Sequence, residues 1–549
     1  MTHKPLLIFL FLSSILSCRD HTRPGETSTA STSGRSVPAA SASEITIPRN
    51  TTIDPAHAYS DLFLDSIDLV DFIRQQHLND TLANELHNFY NARNFQYAWF
   101  TRDGLTEQAL AFSTLYQYSQ DSSTGRKWLD GELNSLESED SLQLTAIDPV
   151  LQRTEMLMTW RFMNYLNHRY TDKKQRLTAF LQLIPVRKQV PLDMARSLVA
   201  DSGMALATSG MEGPWYQALA RELPKYLDWQ QAGGWGRLPR TNKSYKPGDK
   251  AGFIIAVKKR LLFTGEMVPS DTTQLFDEQL ETAIKAFQGV HGLTPDGRIG
   301  PTVIKELNIP VKAQIKQILV NLQRMYWMPA DADKQIIIVN IPDFRLQIMD
   351  SGRPALAMNV VVGKEGHSTV LFSGRLDRII FNPYWNVPPS IVKKEILPGM
   401  EKDTAYLTKH DMETTGMEQG LPAIRQRPGE KNELGRIKFL FPNSFNIYLH
   451  DSPHKELFNM TRRAYSHGCI RVANARGLAA WLLRDMPGWS AEDIDKAIAT
   501  GQNIGLKLNE PVAVLIVYYT AWVDEENKLQ FREDIYGHDS TVAGRLFLP

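Results

Sequence analysis

The sequence predicts an α+β protein of several domains, in which helical segments come first and a β-rich domain comes last. Its 549 residues exceed what one core usually organises. Apolar residues recur at helical spacing from about residue 56 to 270, whereas short alternating runs begin at Gln335. Basic and acidic residues number 61 each, so the overall charge gives no indication of nucleic acid as a partner.

The N-terminus has the pattern of an export signal. Lys4 precedes an apolar run over residues 6–12 that is too short to span a bilayer, so residues 1–17 are predicted to be a signal peptide. The segment ILSC, which ends at Cys18, resembles a bacterial lipobox and implies a lipid anchor on Cys18. Residues 18–55 are rich in small and polar side chains and are predicted to be a flexible tether. Together these features predict the periplasm or cell envelope.

Two helical units are predicted next. Residues 56–270 form a helical domain, whose aromatic residues around Trp99 are assigned to its core. Residues 271–310 form a smaller unit, in which Asp277 caps one helix and Pro301 begins another. Its string AIKAFQGVHGLTPDGRIGPTVIKELN resembles the small three-helix peptidoglycan-binding module of many wall hydrolases. A helical hairpin that only braces the fold is the alternative.

The β-rich domain is predicted over residues 336–540. It includes helices that begin after Asn474 and at Ser490, where Asp493 completes a capping box. Residues 388–436 are polar and rich in Gly and Pro, which indicates an insertion into the sheet domain. Such a segment is either a lid over a binding site or a disordered excursion. Predicted strands cover residues 336–339, 344–348, 358–362, 378–381, 438–441, 446–449 and 512–520.

The cysteine count singles out one residue. Cys18 and Cys469 are the two cysteines of the chain, so a structural disulfide is nearly excluded if Cys18 carries lipid. An unpaired thiol in an exported protein is a candidate nucleophile. A buried cysteine that packs as a small apolar side chain is the alternative.

The surroundings of Cys469 favour the nucleophile. A strand is predicted to deliver His450, and the string S-H-G-C-I-R occupies residues 466–471. Imidazole and guanidinium groups lower a thiol pKa, so His450, His467 and Arg471 are each able to activate the cysteine. Gly468 permits a tight turn that directs amide N–H groups at a developing oxyanion.

The motif of a histidine followed by S-H-G-C-x-R resembles that of the L,D-transpeptidases with a YkuD-type catalytic domain. Two further strings, FNPYWNVPPSIVKKEILP and YYTAWVDEENKLQFREDIYGHD, resemble the large periplasmic subgroup. Membership implies a helical scaffold, a peptidoglycan-binding module and a catalytic β-sandwich with a lid-like insertion. One departure is Asp451, which follows His450 where many members carry glycine.

The resemblance also implies the chemistry. Cys469 would be the acyl-enzyme nucleophile, His450 its general base, and Gly468 with Cys469 the backbone oxyanion donors. The donor would be a peptidoglycan tetrapeptide stem and the acceptor the side-chain amine of a diamino acid in another stem, giving a 3-3 cross-link without metal or cofactor. The thioester chemistry also predicts acylation by carbapenem-type β-lactams. Three further residues would support the site: Ser466, His467 and Arg471.

Other functions fit the same residues. Water or another amine as acceptor would give an L,D-carboxypeptidase, an endopeptidase or an enzyme that attaches proteins to the wall. A non-enzymatic peptidoglycan-binding lipoprotein is an alternative of another class. A zinc site is a further one, because His450, His454, His467 and Cys469 have ligand-type side chains, although their spacing lacks a close ligand pair.

Overall fold

The computed structural model places the chain from Ile47 onwards in one compact unit. The predicted signal peptide, Cys18 and most of the predicted tether lie outside the described residues. No helix in the described part of the chain is both long and apolar enough to cross a membrane. The structure describes residues 46–118, 131–133, 144–170, 172, 176, 179–180, 183–201, 213–268, 273–328, 335–418, 420–443 and 445–548.

The N-terminal part is helical, as the apolar spacing predicted. Asn79 caps α2 by accepting a hydrogen bond from the Leu82 N–H. The rings of Trp99, Phe112 and Phe162 pack with centroids 5.2–5.4 Å apart, which confirms the aromatic core. The elements are α1 (Ser66–Gln75), α2 (Asp80–Ala92), β1 (Phe100–Thr101), β2 (Gly104–Leu105), α3 (Glu107–Tyr118), α4 (Pro149–Arg169), α5 (Pro191–Asp201), α6 (Pro214–Ala220) and α7 (Leu223–Gln231).

A carboxyl group lies at the centre of this core. Glu155 on α4 is fully buried, and its carboxyl oxygens accept hydrogen bonds from Ala98 N (2.7 Å), Trp99 N (3.0 Å) and the Tyr90 hydroxyl (3.2 Å). Burial raises the pKa of Glu155 to about 7. The carboxyl group therefore satisfies two backbone amides that would otherwise lack partners in the core.

The next helices form the small module and a connection to the sheet. They are α8 (Gly252–Thr264), α9 (Glu278–Val290), α10 (Pro301–Leu307) and α11 (Val311–Met325). Asp277 caps α9 by accepting from Leu280 N at 2.8 Å, and Pro301 lies in the first turn of α10, both as predicted. Helices α8, α9 and α10 share one apolar core.

The module is packed against the β-rich domain. The His291 ring lies between Phe287 and Phe531, with centroids 4.1 and 5.6 Å away. Arg532 donates to the Val290 carbonyl at 3.0 Å. The hydroxyl of Thr294 lies 2.7 Å from that of Thr461, in the segment just before the S-H-G-C-I-R motif. These contacts fix the module beside the candidate site.

The β-rich domain contains a nine-stranded sheet in the order β12-β5-β13-β11-β10-β6-β14-β3-β4. An additional pairing of β4 with β5 closes this sheet into the layers of the predicted β-sandwich. The strands are β3 (Ile336–Asn340), β4 (Arg345–Asp350), β5 (Arg353–Gly363), β6 (Phe372–Phe381), β7 (Trp385–Asn386), β8 (Met412–Glu418), β9 (Leu421–Gln426), β10 (Ile437–Leu440), β11 (Leu449–His450), β12 (Ala464–Ser466), β13 (Ile470–Val472), β14 (Ile504–Val517), β15 (Ala521–Val523) and β16 (Leu529–Phe531).

Strand β3 is buried on both faces because two different cores cover it. Ile337 and Val339 belong to the interior of the closed sheet, whereas Ile336 and Ile338 pack with helix α11 and its neighbours. Strand β14 is longer than predicted, and its register shifts between Lys507 and Val512. Pro511 lies in that interval and lacks the N–H that a regular ladder needs.

The insertion is folded around a small core of its own, which includes Ile391, Val392 and Ile424. It contains α12 (Pro389–Ile391), a π-helix (Val392–Ile396), α13 (Leu397–Lys402), α14 (Tyr406–Lys409) and strands β8 and β9, and β9 also pairs with β7, which lies just before the insertion. The Leu397 N–H donates to the Val392 carbonyl, five residues back. Pro398 follows directly and has no N–H to donate to an i−4 carbonyl. The π-helix therefore ends next to a residue that could not continue regular α-helical hydrogen bonding.

The remaining helices brace the sheet. They are a 3₁₀-helix (Lys455–Asn459), α15 (Ala475–Leu483), α16 (Ala491–Ala499) and α17 (His538–Leu546). The predicted capping box of Ser490 and Asp493 is present at α16. The buried Arg324 on α11 binds Glu107 on α3 at 2.9 Å and Asp539 on α17 at 2.5 Å, which joins the helical part to the sheet domain.

Candidate active site

Cys469 lies on a tight turn between β12 and β13. Gly468, directly before it, has a φ of +111°, which side chains with a Cβ rarely adopt. A Cβ at Gly468 would meet no atom closer than 3.9 Å, so the backbone angle rather than space accounts for the glycine. The thiol of Cys469 is free and partly exposed. The turn thus leaves the predicted nucleophile partly exposed.

Two hydroxyl groups fix this turn. Ser466 Oγ donates to the Cys469 carbonyl at 2.5 Å and accepts from Gly468 N at 3.2 Å. Thr369 Oγ1 donates to the Gly468 carbonyl at 2.8 Å. Ser466 therefore orients backbone rather than a histidine ring. Since the Gly468 N–H already has an acceptor, its role as an oxyanion donor stays a prediction, as does that of the Cys469 N–H.

His450 is buried on β11 and is held by the residue that follows it. Its Nδ1 lies 2.5 Å from the Asp451 carbonyl oxygen. The Asp451 carboxylate has a different task, because it accepts from Arg436 N at 2.9 Å and forms an ion pair with Lys455. A backbone carbonyl thus orients His450, and the departure from glycine at position 451 leaves that interaction intact.

Three basic side chains occupy paired positions on neighbouring strands. Lys438 on β10 is opposite His450, and His450 is opposite Arg471 on β13. Paired residues project from the same face of a sheet. Burial and the charges of Arg471 and Lys438 lower the pKa of His450 to about 3. The imidazole is therefore neutral at physiological pH, and the same burial and charges oppose its protonation.

The thiol interacts with the segment that leads into β11. Cys469 Sγ lies 3.8 Å from the Asn446 carbonyl oxygen and is also hydrogen-bonded to Tyr448. Among the described residues, these contacts rather than the His450 ring bind the sulfur at rest. Burial raises the pKa of the Cys469 thiol, against the opposing effects of Tyr448, Lys438 and Arg471. The predicted lowering by Arg471 is present, but burial outweighs it.

His467 faces the insertion. Its Nε2 lies 3.1 Å from Glu395 Oε1 on the π-helix, and its ring centroid is 5.3 Å from that of His367. Burial and the nearby Lys364 charge lower the pKa of His467, whereas Glu395 opposes this. His467 therefore contacts the insertion, whereas His450 belongs to the row of paired residues on β10, β11 and β13.

Arg471 and His454 share a carboxylate. Arg471 Nη2 lies 3.5 Å from Glu433, and His454 Nε2 lies 3.3 Å from the same side chain. The buried Nε of Arg471 has no hydrogen-bond partner among the described residues. Within those residues, no group of three or more His, Cys, Asp or Glu side chains is arranged to hold a metal ion.

Three residues of the site escaped the sequence analysis. Tyr448 precedes His450 by two positions, so strand alternation places both on one face and was a usable signal. Lys438 enters through cross-strand pairing, for which the sequence offered no register. Glu395 belongs to the insertion, and its contact with His467 depends on how the insertion folds, which the sequence does not specify.

Family models match three parts of the chain. Residues 334–501 match the YkuD "L,D-transpeptidase catalytic domain". Residues 84–223 match a "Scaffold domain", and residues 251–307 match the "Putative peptidoglycan binding domain". A curated "Putative L,D-transpeptidase" of Haemophilus influenzae is 31% identical over 254 residues. That match covers 43% of this chain and 50% of the relative, so the chain spans half the length of the relative.

Solved structures of low identity were also found. An L,D-transpeptidase of Xylanimonas cellulosilytica is 13% identical with a TM-score of 0.16, over 51% of this chain and 100% of that one. The L,D-transpeptidase of Mycobacterium smegmatis is 12% identical with a TM-score of 0.19, over 34% and 58%. From the family models, and as the S-H-G-C-I-R motif predicted, the chain contains an L,D-transpeptidase catalytic domain of the YkuD family, preceded by a scaffold domain and a peptidoglycan-binding domain.

Proposed function

We propose that the protein is an L,D-transpeptidase that forms 3-3 cross-links between peptidoglycan stem peptides through a thioester on Cys469. The observation that carries this proposal is the partly exposed Cys469, held on a fixed turn inside the matched catalytic domain. The name of the Haemophilus influenzae relative supports the same activity. The substrates are the tetrapeptide stem as acyl donor and the diamino-acid side chain of a second stem as acceptor.

Acylation uses the groups on the β10–β13 side. Sγ attacks the donor carbonyl carbon, and the neutral His450 takes up the thiol proton. Tyr448, Lys438 and Arg471 stabilise negative charge on the sulfur, since each favours the thiolate over the thiol. The C–N bond then breaks, and terminal D-alanine leaves with the proton from His450. The backbone N–H of Cys469 stabilises the oxyanion, and the Gly468 N–H would join it by leaving Ser466 Oγ.

Deacylation completes the cross-link. An acceptor amine attacks the thioester carbonyl, the C–S bond breaks and the thiol is regenerated. Carbapenem-type β-lactams would acylate Cys469 by the same chemistry. No metal or organic cofactor takes part in these steps. The peptidoglycan-binding module lies beside the segment that leads into the motif, so it would hold wall polymer close to Cys469.

The protein acts in the cell envelope, and we place it in the periplasm. The support is the N-terminal pattern of an export signal followed by Cys18 in a lipobox-like segment. A lipid on Cys18 and the tether up to about residue 55 would anchor the enzyme to a membrane while the folded part reaches the wall. Metabolic labelling with palmitate, lost in Cys18→Ala, tests the anchor.

The test of function is the product made from a purified disaccharide-tetrapeptide. Mass spectrometry of the muropeptides should show a 3-3 linked dimer together with released D-alanine. Tripeptide without dimer would indicate the carboxypeptidase, and cleavage of a supplied dimer the endopeptidase. If none of these products forms while wall polymer still binds, the non-enzymatic lipoprotein is the better description.

A further inference from the structure

The insertion contributes a carboxylate to the immediate surroundings of the nucleophile. Glu395 is on the π-helix, and its Oε1 lies 3.1 Å from Nε2 of His467, two residues before Cys469. Single π-turns within helices are rare and are found preferentially at functional sites. The contact joins two segments that are more than 70 residues apart in sequence, so the fold of the insertion is required to make it.

Different charged groups lie on the two sides of Cys469. On the β10–β13 side, Lys438 and Arg471 are cations, and the charges of Glu433 and Glu456 act on Arg471. On the β5–β12 side, Glu395 faces His467, and the Lys364 charge also acts on that imidazole. An amine that approaches the sulfur from the β5–β12 side would therefore meet the Glu395 carboxylate.

Glu395 is suited to bind a cation. Its side chain is 52% exposed and that of His467 is 34% exposed, so both are reachable from solvent. Burial and the Lys364 charge lower the pKa of His467, which keeps the imidazole neutral and leaves the Glu395 charge uncompensated by it. His367, with its ring 5.3 Å from that of His467, is the other imidazole on this side.

We propose that Glu395 and His467 form the subsite for the acceptor amine, in which the Glu395 carboxylate binds the ammonium group and His467 removes a proton from it. The inference rests on the proposed function and assigns its second substrate to one side of Cys469. Lys364 and His367 on the loop after β5, and Lys393 and Lys394 beside Glu395, are the other titratable groups near this subsite.

The step balances without a further reactant. The acceptor arrives as an ammonium and gives one proton to His467, which passes it to solvent. The free amine attacks the thioester carbon, so a C–N bond forms while the C–S bond breaks, and Sγ leaves with the electron pair. The second amine proton goes to the sulfur, which restores the Cys469 thiol.

The experiment separates the donor step from the acceptor step. The purified protein is given disaccharide-tetrapeptide as donor and disaccharide-tripeptide, which has the amine but no terminal residue to lose, as acceptor. Intact mass follows acyl-enzyme formation, and chromatography gives the ratio of dimer to hydrolysed donor. The variants are Glu395→Gln and, as a matched control, Glu401→Gln, an exposed carboxylate on α13 of the same helical stretch.

We expect Glu395→Gln to lower the ratio of dimer to hydrolysed donor roughly tenfold, because one charge-assisted hydrogen bond to the ammonium is lost. Its half-saturating acceptor concentration should rise, and its acyl-enzyme should still form. Glu401→Gln should match wild type. An unchanged ratio in Glu395→Gln, or an equal fall in both variants, would overturn the subsite. Wild type without any adduct would instead overturn the proposed function itself.

Discussion

The buried Glu155 in the helical part and the buried His450 in the sheet domain are both driven towards their neutral forms. Burial raises the pKa of Glu155 to about 7 and, together with Arg471 and Lys438, lowers the pKa of His450 to about 3. Their surroundings differ. Glu155 accepts three hydrogen bonds inside a closed apolar core. His450 is paired across strands with Lys438 and Arg471, and both of these cations act on the Cys469 thiol.

The comparison shows that a shifted pKa does not by itself identify a catalytic group. The donors around Glu155 are backbone and side-chain groups of the helical core, so its shifted pKa affects the free energy of unfolding. Near His450 the Nε of Arg471 lacks a hydrogen-bond partner among the described residues, and the Lys438 ammonium lies 3.7 Å from the centre of the Tyr448 ring. Such groups can still donate hydrogen bonds to a substrate.

The largest expected effect is at His450. His450→Gln should slow acylation of Cys469 by about 10²–10⁴-fold, because no neutral base remains to take the thiol proton. The rate of adduct formation, followed by intact mass, measures this. The melting temperature of the variant is the control for folding. Acylation at the wild-type rate would remove His450 from the mechanism.

Glu155 should affect stability with a defined sign. Its folded pKa lies above the ordinary value of 4.5, so its stabilising contribution is complete below about pH 4.5 and is lost as pH rises through about 7. The expected loss is on the order of 3 kcal/mol. Urea unfolding of wild type and Glu155→Gln between pH 4.5 and 8 measures the difference, which isolates this residue from other titrations.

If the free energy of unfolding depended equally on pH in both proteins, Glu155 would not be the source of the pH-dependent loss of stability. Glu155 contacts only residues of the helical core in the hydrogen bonds described above. The Glu155→Gln protein should therefore be acylated at the wild-type rate at a temperature where it remains folded.

A smaller effect is expected at Lys438. Its charge lowers the pKa of Cys469, so Lys438→Met should raise that pKa and move the rise of acylation rate with pH to higher values. At neutral pH a roughly tenfold slower acylation is expected, because a smaller fraction of the thiol is ionised. Lys507→Met, an exposed lysine on β14, is the control and should leave the profile in place.

Much of the fold was predictable because local chemistry dictates it. The capping box at Ser490 and the cap at Asp277 are local signals, and both were read from the sequence. The first part of β14 was missed because Lys507 to Pro511 is polar and interrupted, and its pairing with β6 is a long-range interaction.

The residues of the candidate site also fall into those that local sequence predicts and those that depend on long-range contacts. Cys469 and His450 are recognisable from residue type and motif alone. Lys438 and Glu395 depend on strand register and on the path of the insertion, which no local pattern specifies. The group that orients His450 is the Asp451 carbonyl, so the identity of the side chain carried no information about it.

The central claim is that Cys469 carries the acyl group. Its most direct test is intact mass spectrometry of the purified protein after incubation with disaccharide-tetrapeptide, in wild type and in Cys469→Ala. We predict an adduct with the mass of the donor less D-alanine in wild type and none in Cys469→Ala. An adduct of the same mass in Cys469→Ala, or its absence from both proteins, would contradict the account.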